Sequence, residues 1–429
     1  MISIVTLLFE FAILAVFNST GTTDVGNFVA GVLILLHSFV TIASFGRNKR
    51  LKKFSRLLTL AYLLRLFFIC IDLFAYPRIV LPDGHSDEEM FYINAADYTV
   101  SGYTRRGFYP QLMGTLFRFI GINRFFGQYV SMLPSLVALV FLVFTLYELE
   151  KTDTASLKIF RIVCILPYNA VLSSLFMREA FIYMFLAISY YHFVLWTKSK
   201  KELEFYIAAG FILPAALFHS GTIAALVGYI IVRLIYDNKR EVVNITAKNL
   251  FATIIIAALS AFVLSRSGNS FLGKFNSLDS LEDIANTYDF ARSSYARYVG
   301  NSNNLANFIL YSPLRFIYFV LSPVPWLWRG ITDIAAFMLS TMFYIVAIWR
   351  IIKYLRTHDY SDKRKALVVA LMIVSLAILF VFSWGTSNAG TALRHRDKTL
   401  ILFSVLWILC SDETKPAVRK YVRGRRRAY

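Results

Sequence analysis

ALVVALMIVSLAILFVFSWGTSNAGTALRHRDKTLILFSVLWILCS, residues 366–411, sets two apolar runs, about 366–384 and 398–411, on either side of a polar segment. Runs of this kind satisfy their backbone polar groups inside a helix, which is how a chain crosses hydrocarbon. Between them, Gly385 to Lys398 carries Arg394, His395 and Arg396 in a row. Ionisable groups at a bilayer boundary are costly and usually mark a functional site.

Outward from this stretch the same pattern repeats. Of 429 residues, 57% are apolar, 16% aromatic and 17% charged, the composition of an integral membrane protein. Apolar runs fall at about 1–17, 26–45, 57–76, 127–148, 158–175, 179–197, 204–218, 221–236, 248–265, 331–350, 366–384 and 398–411. The expected fold is all-α and polytopic, with about 12 transmembrane helices forming one helical domain over 1–411. Residues 77–126 and 266–330 form long outer loops carrying interfacial helices, and 412–429 a basic cytoplasmic tail. The first run lacks a basic leader and a small-residue cleavage site and contains Glu10, so it reads as a retained helix. Cys70, Cys164 and Cys410 lie in apolar runs and match neither a disulfide framework nor a metal site.

A net charge of +19 would suggest nucleic acid in a soluble protein, but here it points to cytoplasmic loops, and no nucleic-acid partner is expected. Basic connectors at Arg47 to Arg56, Lys198 to Lys201, Lys239 and Arg240, Arg350 to Lys365 and the tail fall on one side. That puts both termini in the cytoplasm. Of 45 basic residues, 29 belong to that side, Arg65 lies within a span, and 15 fall on the outer side. Of those 15, all but Lys274 and Lys398 are arginines. The guanidinium fork matches phosphate oxygens, so the outer face reads as built for a phosphate or diphosphate. About half of these arginines are expected instead to reach headgroups or pair with loop acids.

In the first outer loop, Phe91, Ile93, Ala95 and Tyr98, then Leu112, Met113, Leu116 and Phe119, recur at helical spacing, as in amphipathic helices on an interface. The second loop is polar and tyrosine-bearing. Phe308 to Leu321 then reads as interfacial or re-entrant, ending at Ser322-Pro-Val-Pro-Trp-Leu-Trp-Arg329.

Four clusters carry chemistry. His85-Ser-Asp-Glu-Glu89 reads first as a capping box of Ser86 with Glu89, yet Asp87 or Glu88 can also supply a general base or hold a metal ion. Phe176-Met-Arg-Glu179 sits in a hairpin so short that Arg178 and Glu179 must lie at the membrane boundary. Leu217-Phe-His-Ser-Gly221 divides a long apolar run, and His219 is either a polar turn or a base near neutral pH. Arg394 and Arg396 straddle His395; as headgroup anchors they fit an outer face poorly. His37 and His192 read as structural and His358 as cytoplasmic.

The order of Asp87 to Tyr92, Arg178, Phe218-His219-Ser220 and Arg394 to Arg396 resembles bacterial polysaccharide polymerases of the Wzy kind, in particular the EpsG-like branch. More widely the chain resembles the GT-C glycosyltransferases, although the spans that precede its first long loop, at 1–17, 26–45 and 57–76, depart from the commonest arrangement. The resemblance implies a membrane glycosyltransferase joining undecaprenyl-diphosphate-linked oligosaccharides into surface polysaccharide on the outer face of the bacterial cytoplasmic membrane. Its implied partners are a polyprenyl-linked sugar donor, a glycan acceptor, membrane lipid, a flippase and a chain-length regulator. Inverting transfer needs a base on the acceptor hydroxyl and positive charge on the leaving diphosphate. His219, Asp87, Glu88 and Glu179 are the candidate bases. Arg178, Arg394, Arg396 and His395, with Arg329, Arg292 and Arg297, are the candidate diphosphate ligands. Fixed guanidinium groups make a metal unnecessary, so no cofactor is expected, with Asp87 and Glu88 left open to a divalent ion. Two other readings remain: a GT-C enzyme adding one sugar from a polyprenyl-monophosphate donor, and a lipid-linked oligosaccharide flippase.

Overall fold

The computed structural model describes residues 2–19, 23–85, 87–104, 107–237, 240–244, 246, 248, 249, 251, 252, 255, 294, 295, 298, 299, 305–358 and 363–411. In chain order the helices are α1 (Ile2–Ser19), α2 (Thr23–Arg47), α3 (Ser55–Phe74), α4 (Asp87–Ser101), α5 (Phe108–Ile120) and α6 (Arg124–Glu148). There follow α7 (Thr154–Ile165), α8 (Pro167–Ser174), α9 (Glu179–Ser199), α10 (Glu202–Phe218) and α11 (Ala224–Ile235). Then come α12 (Leu305–Leu321), α13 (Ile331–Ala336), α14 (Met342–Thr357), α15 (Lys363–Trp384), α16 (Ala389–Asp397) and α17 (Leu400–Leu409). A two-residue antiparallel pair, Tyr236–Asp237 with Val242–Val243, closes the turn after α11.

Among the described residues, six helical stretches are long and apolar enough to cross a membrane: Phe28–Arg47, Lys52–Phe74, Arg124–Glu148, Glu179–Ser199, Ile331–Thr357 and Lys363–Trp384. An all-α membrane protein is the architecture. Helices occupy eleven of the twelve expected positions, the remaining run at 248–265 lying largely outside the described residues. Helices α1, α10, α11 and α17 are shorter than the length that marks the other six. The expected span 158–175 is α7 and α8, bent by 47°. Pro167 explains the bend: it lacks an N–H and drives Leu166 into an extended conformation (φ −58°, ψ 109°).

Capping residues fix the other breaks. Asn123 accepts from the Phe126 N–H (2.8 Å) at the start of α6, and Asp153 from Ser156 N–H (2.7 Å) at α7. Asn388 accepts from the Gly390 and Thr391 N–H groups and so starts α16.

The core lies where α6 and α9 pack along each other, with α10 on the far side of α9 and α17 against α6, α7, α14 and α15. Arg65 of α3 is wholly buried within it. Its Nε donates to Ser135 Oγ (2.9 Å) and Ser173 Oγ (3.0 Å), its Nη2 to Asn169 Oδ1 (2.9 Å) and its Nη1 to the Ala61 carbonyl (3.1 Å). An arginine in an apolar bundle is tolerated only when its donors are met in this way.

Helices α4 and α5 lie in the first long loop. Of the apolar residues spaced along them, Phe91, Ala95 and Met113 are buried, whereas Ile93, Leu112 and Phe119 are exposed. The buried face of α5 runs through Tyr109, Met113, Gly114, Phe117 and Ile120. Gly114 sets this orientation, because a Cβ there would stand 2.5 Å from the Ala95 carbonyl oxygen. Only glycine allows α4 and α5 to approach so closely. Gly228 acts similarly on α11, where a Cβ would lie 2.8 Å from Val374 Cα of α15.

Candidate functional site

The short hairpin after α8 delivers Arg178 and Glu179 to the N-terminal end of α9. Glu179 is fully buried, and Arg394 of α16 comes to meet it, Nε to Oε1 at 3.3 Å. Lys398, also buried, stands 4.0 Å from the same oxygen. Arg394 turns its Nη1 the other way, to Asp87 Oδ2 at 2.6 Å. It therefore links a buried carboxylate to one that is 54% exposed. Helix α4 begins at Asp87, and a carboxylate in the first turn is favoured by the helix dipole.

Two imidazoles adjoin this group. Residue His219 ends α10 in an extended conformation, and its Nδ1 accepts from the Gly221 N–H at 3.3 Å. Its ring lies 4.8 Å from that of His395 and 4.9 Å from Phe382. The Nδ1 of His395 meets the Thr386 hydroxyl at 3.1 Å. Burial, then Lys398, His219, Arg394 and Arg178, push the His395 imidazole well below its usual range. Arg178, half-buried, lies over the Phe91 ring of α4.

Not every expected residue belongs here. Arg396 is fully buried and faces away, donating Nη1 to the Val320 and Ser322 carbonyls and Nη2 to Ser340 Oγ and Thr341 Oγ1. Its plane rests on Tyr344. It ties the end of α12 to the π-helical turn Phe337–Thr341 between α13 and α14. Arg329 forms a local bidentate pair with Asp333, both N–O distances being 2.9 Å. Arg292, Arg297 and Ser86 lie outside the described residues.

Glu88 belongs to a second cluster. It accepts from Arg124 Nη2 (2.6 Å) and Gln128 Nε2 (3.2 Å), while Gln128 also reaches Asp72 Oδ2 (2.7 Å) and Arg124 Nη1 reaches Glu89 (2.7 Å). Burial pushes the Glu88 carboxyl up, and Arg124 partly offsets this. Ligand atoms of His85, Glu88 and Glu89 lie within 4.8 Å of one another. Arg124 pairs with both carboxylates of this group.

Four groups join the site unannounced. Asp83, in the turn before α4, accepts from the Tyr168 hydroxyl at 3.1 Å, and burial pushes its carboxyl up. Lys398 was visible as one of two lysines on a face of arginines. Asp397 accepts from Asn169 Nδ2 (2.6 Å) and Tyr183 (2.8 Å), fixing α16 against α8 and α9. Tyr295 of the second loop donates its N–H to the Ser387 carbonyl (2.7 Å) and its hydroxyl to the Thr386 carbonyl (3.1 Å), covering the segment that leads to His395.

No family model matches the chain, and no curated protein or solved structure is similar to it.

Proposed function

We propose that the chain is a membrane glycosyltransferase that joins polyprenyl-diphosphate-linked oligosaccharides into polysaccharide. The proposal includes the twelve-span topology, cytoplasmic termini and a site on the outer face of a bacterial cytoplasmic membrane. The observation that carries it is Arg394 held between buried Glu179 and exposed Asp87, with Arg178 and His219 alongside. A cation so braced needs little reorganisation when charge develops on a leaving group.

In the reaction, the acceptor hydroxyl oxygen bonds to the anomeric carbon as the bond from that carbon to the diphosphate oxygen breaks. The electron pair leaves with the diphosphate, which Arg178 and Arg394 hold. The hydroxyl proton passes to Asp87, the more accessible carboxylate. Because His219 Nδ1 accepts from Gly221, its neutral ring carries the proton on Nε2 and is a donor to the diphosphate rather than a base. Glu179 keeps Arg394 in place. Arg396 anchors α12, and no metal is invoked.

The flippase reading requires arginines along a central cavity. Arg65, the one expected within a span, spends its donors on Ser135, Ser173, Asn169 and Ala61 instead. The experiment is conversion of lipid-linked repeat units in liposomes containing the purified protein. Polymer ladders are expected, lost in Arg394→Ala and Asp87→Asn. Translocation without bond formation would mean a flippase, addition from a monophosphate donor the single-sugar enzyme, and full activity of both variants would refute the site.

A further inference from the structure

Glu10 of α1 is 1% exposed, and among the described residues neither of its carboxylate oxygens has a hydrogen-bond partner. Among the described residues, the basic group within ion-pair distance is the imidazole of His37 of α2, whose Nδ1 stands 3.9 Å from Oε2. His37 is equally buried and belongs to a chain of hydroxyl groups whose donors can be counted.

The Ser38 hydroxyl donates its single proton to the Ile34 carbonyl (2.6 Å), so at Tyr62, 2.6 Å away, it must accept. The Tyr62 proton is then spent, and Tyr129, at 3.0 Å, must donate to Tyr62. This leaves Tyr129 only an oxygen lone pair to offer His37 Nδ1 at 2.6 Å, so Nδ1 carries a hydrogen. On the other side of the ring, Nε2 faces the Ser3 carbonyl at 3.1 Å, an acceptor only, and the Ser3 hydroxyl at 2.8 Å. A hydrogen on Nε2 satisfies both, and Ser3 then donates to Thr41 (3.3 Å). Every bond is made only when both ring nitrogens are protonated. A neutral ring would leave a lone pair against the Ser3 carbonyl and an unbalanced carboxylate at Glu10.

From this geometry we infer that Glu10 and His37 form a proton-binding site inside the helical bundle, with the proton on the imidazole and Glu10 as its counter-ion. The other titratable groups facing it are Tyr62 and Tyr129. Helix α5 also packs on α1, but its Arg118 is engaged by the Tyr98 and Thr99 carbonyls of α4. Binding and release of the proton make the seating of α1 proton-dependent. The site is separate from the Glu179 group and does not rest on the activity proposed for it.

The test is nitrogen-15 magnetic resonance of histidine-labelled, full-length protein in liposomes, which separates doubly protonated from neutral rings. The chain has six histidines, and the His37 signal is the one absent from His37→Gln; if that variant does not fold, the signal is assigned by its coupling to Tyr129. At pH 7 a doubly protonated His37 is expected, turning neutral in Glu10→Gln. A neutral His37 in the unaltered protein overturns the inference, as does a ring that stays protonated without Glu10.

Discussion

At the residue scale, buried Glu179 is held against two basic side chains, Arg394 and Lys398. Removing one member of a buried ion pair leaves the other uncompensated, at about 3–5 kcal/mol. Glu179→Gln is therefore expected to lower the thermal midpoint in detergent markedly, and Glu179→Gln combined with Lys398→Met to recover part of the loss. If the two substitutions simply add, Lys398 and Glu179 are not paired in energy. His395 gives a second expectation. Its folded value lies below the roughly 6.5 of an exposed imidazole, so the unfolded chain takes up a proton that the folded chain refuses. The stability this group contributes is full above that unfolded value and is lost as pH falls through the folded one. Unfolding midpoints of His395→Gln should accordingly fall less than those of the unaltered protein on acidification below about pH 6.5.

At the scale of elements, two contacts set positions that the site depends on. Helix α4 carries Asp87 and is placed by its crossing with α5 at Gly114, where added atoms meet the Ala95 carbonyl and Tyr98. Overpacking of this kind costs about 1–3 kcal/mol. Gly114→Ala is expected to lower the melting midpoint and to weaken polymer formation through Asp87. Unchanged melting would mean that α4 and α5 separate freely. Arg396 performs the corresponding task for α12 and α14. Its replacement by Met should destabilise the protein more than Arg329→Met, because Arg396 is buried with four oxygen partners whereas Arg329 is half-exposed and serves one neighbour. Equal losses in a thermal melt would contradict that ranking.

At the scale of the whole molecule, the proposed topology puts α4 outside and the Lys52–Lys53 turn inside. Exposed Val100→Cys should react with an impermeant thiol reagent in intact cells, and Lys53→Cys only after permeabilisation; the reverse pattern would invert the protein. The helical character and most helix positions were legible, because long apolar runs with basic connectors leave few alternatives. Arg178, Glu179, His219 and Arg394 were legible as a group for the same reason, charge at an apolar boundary being conspicuous. The roles within the cluster were not. Arg394 and Arg396 are two residues apart on one helix and face opposite directions, and sequence alone does not say which neighbour each direction meets. Glu88 and Asp87 diverge likewise: one is buried beside Arg124, the other exposed beside Arg394. Asp83 and Asp397 escaped notice because their partners, Tyr168 and Asn169, arrive from distant parts of the chain.

Arg65 bears on how the chain is made. Its side-chain partners Ser135, Asn169 and Ser173 follow it by 70, 104 and 108 residues. A ribosome adding roughly 5–20 residues per second completes α3 several seconds before α8 exists. Throughout that interval an arginine faces lipid or the translocation channel without them, at a cost of about 2.5–3.5 kcal/mol in the insertion process. Helix α3 is thus expected to linger at the channel or to slide back until α6 and α8 emerge. Packing of α3 into the bundle waits for helices made 70 to 108 residues later.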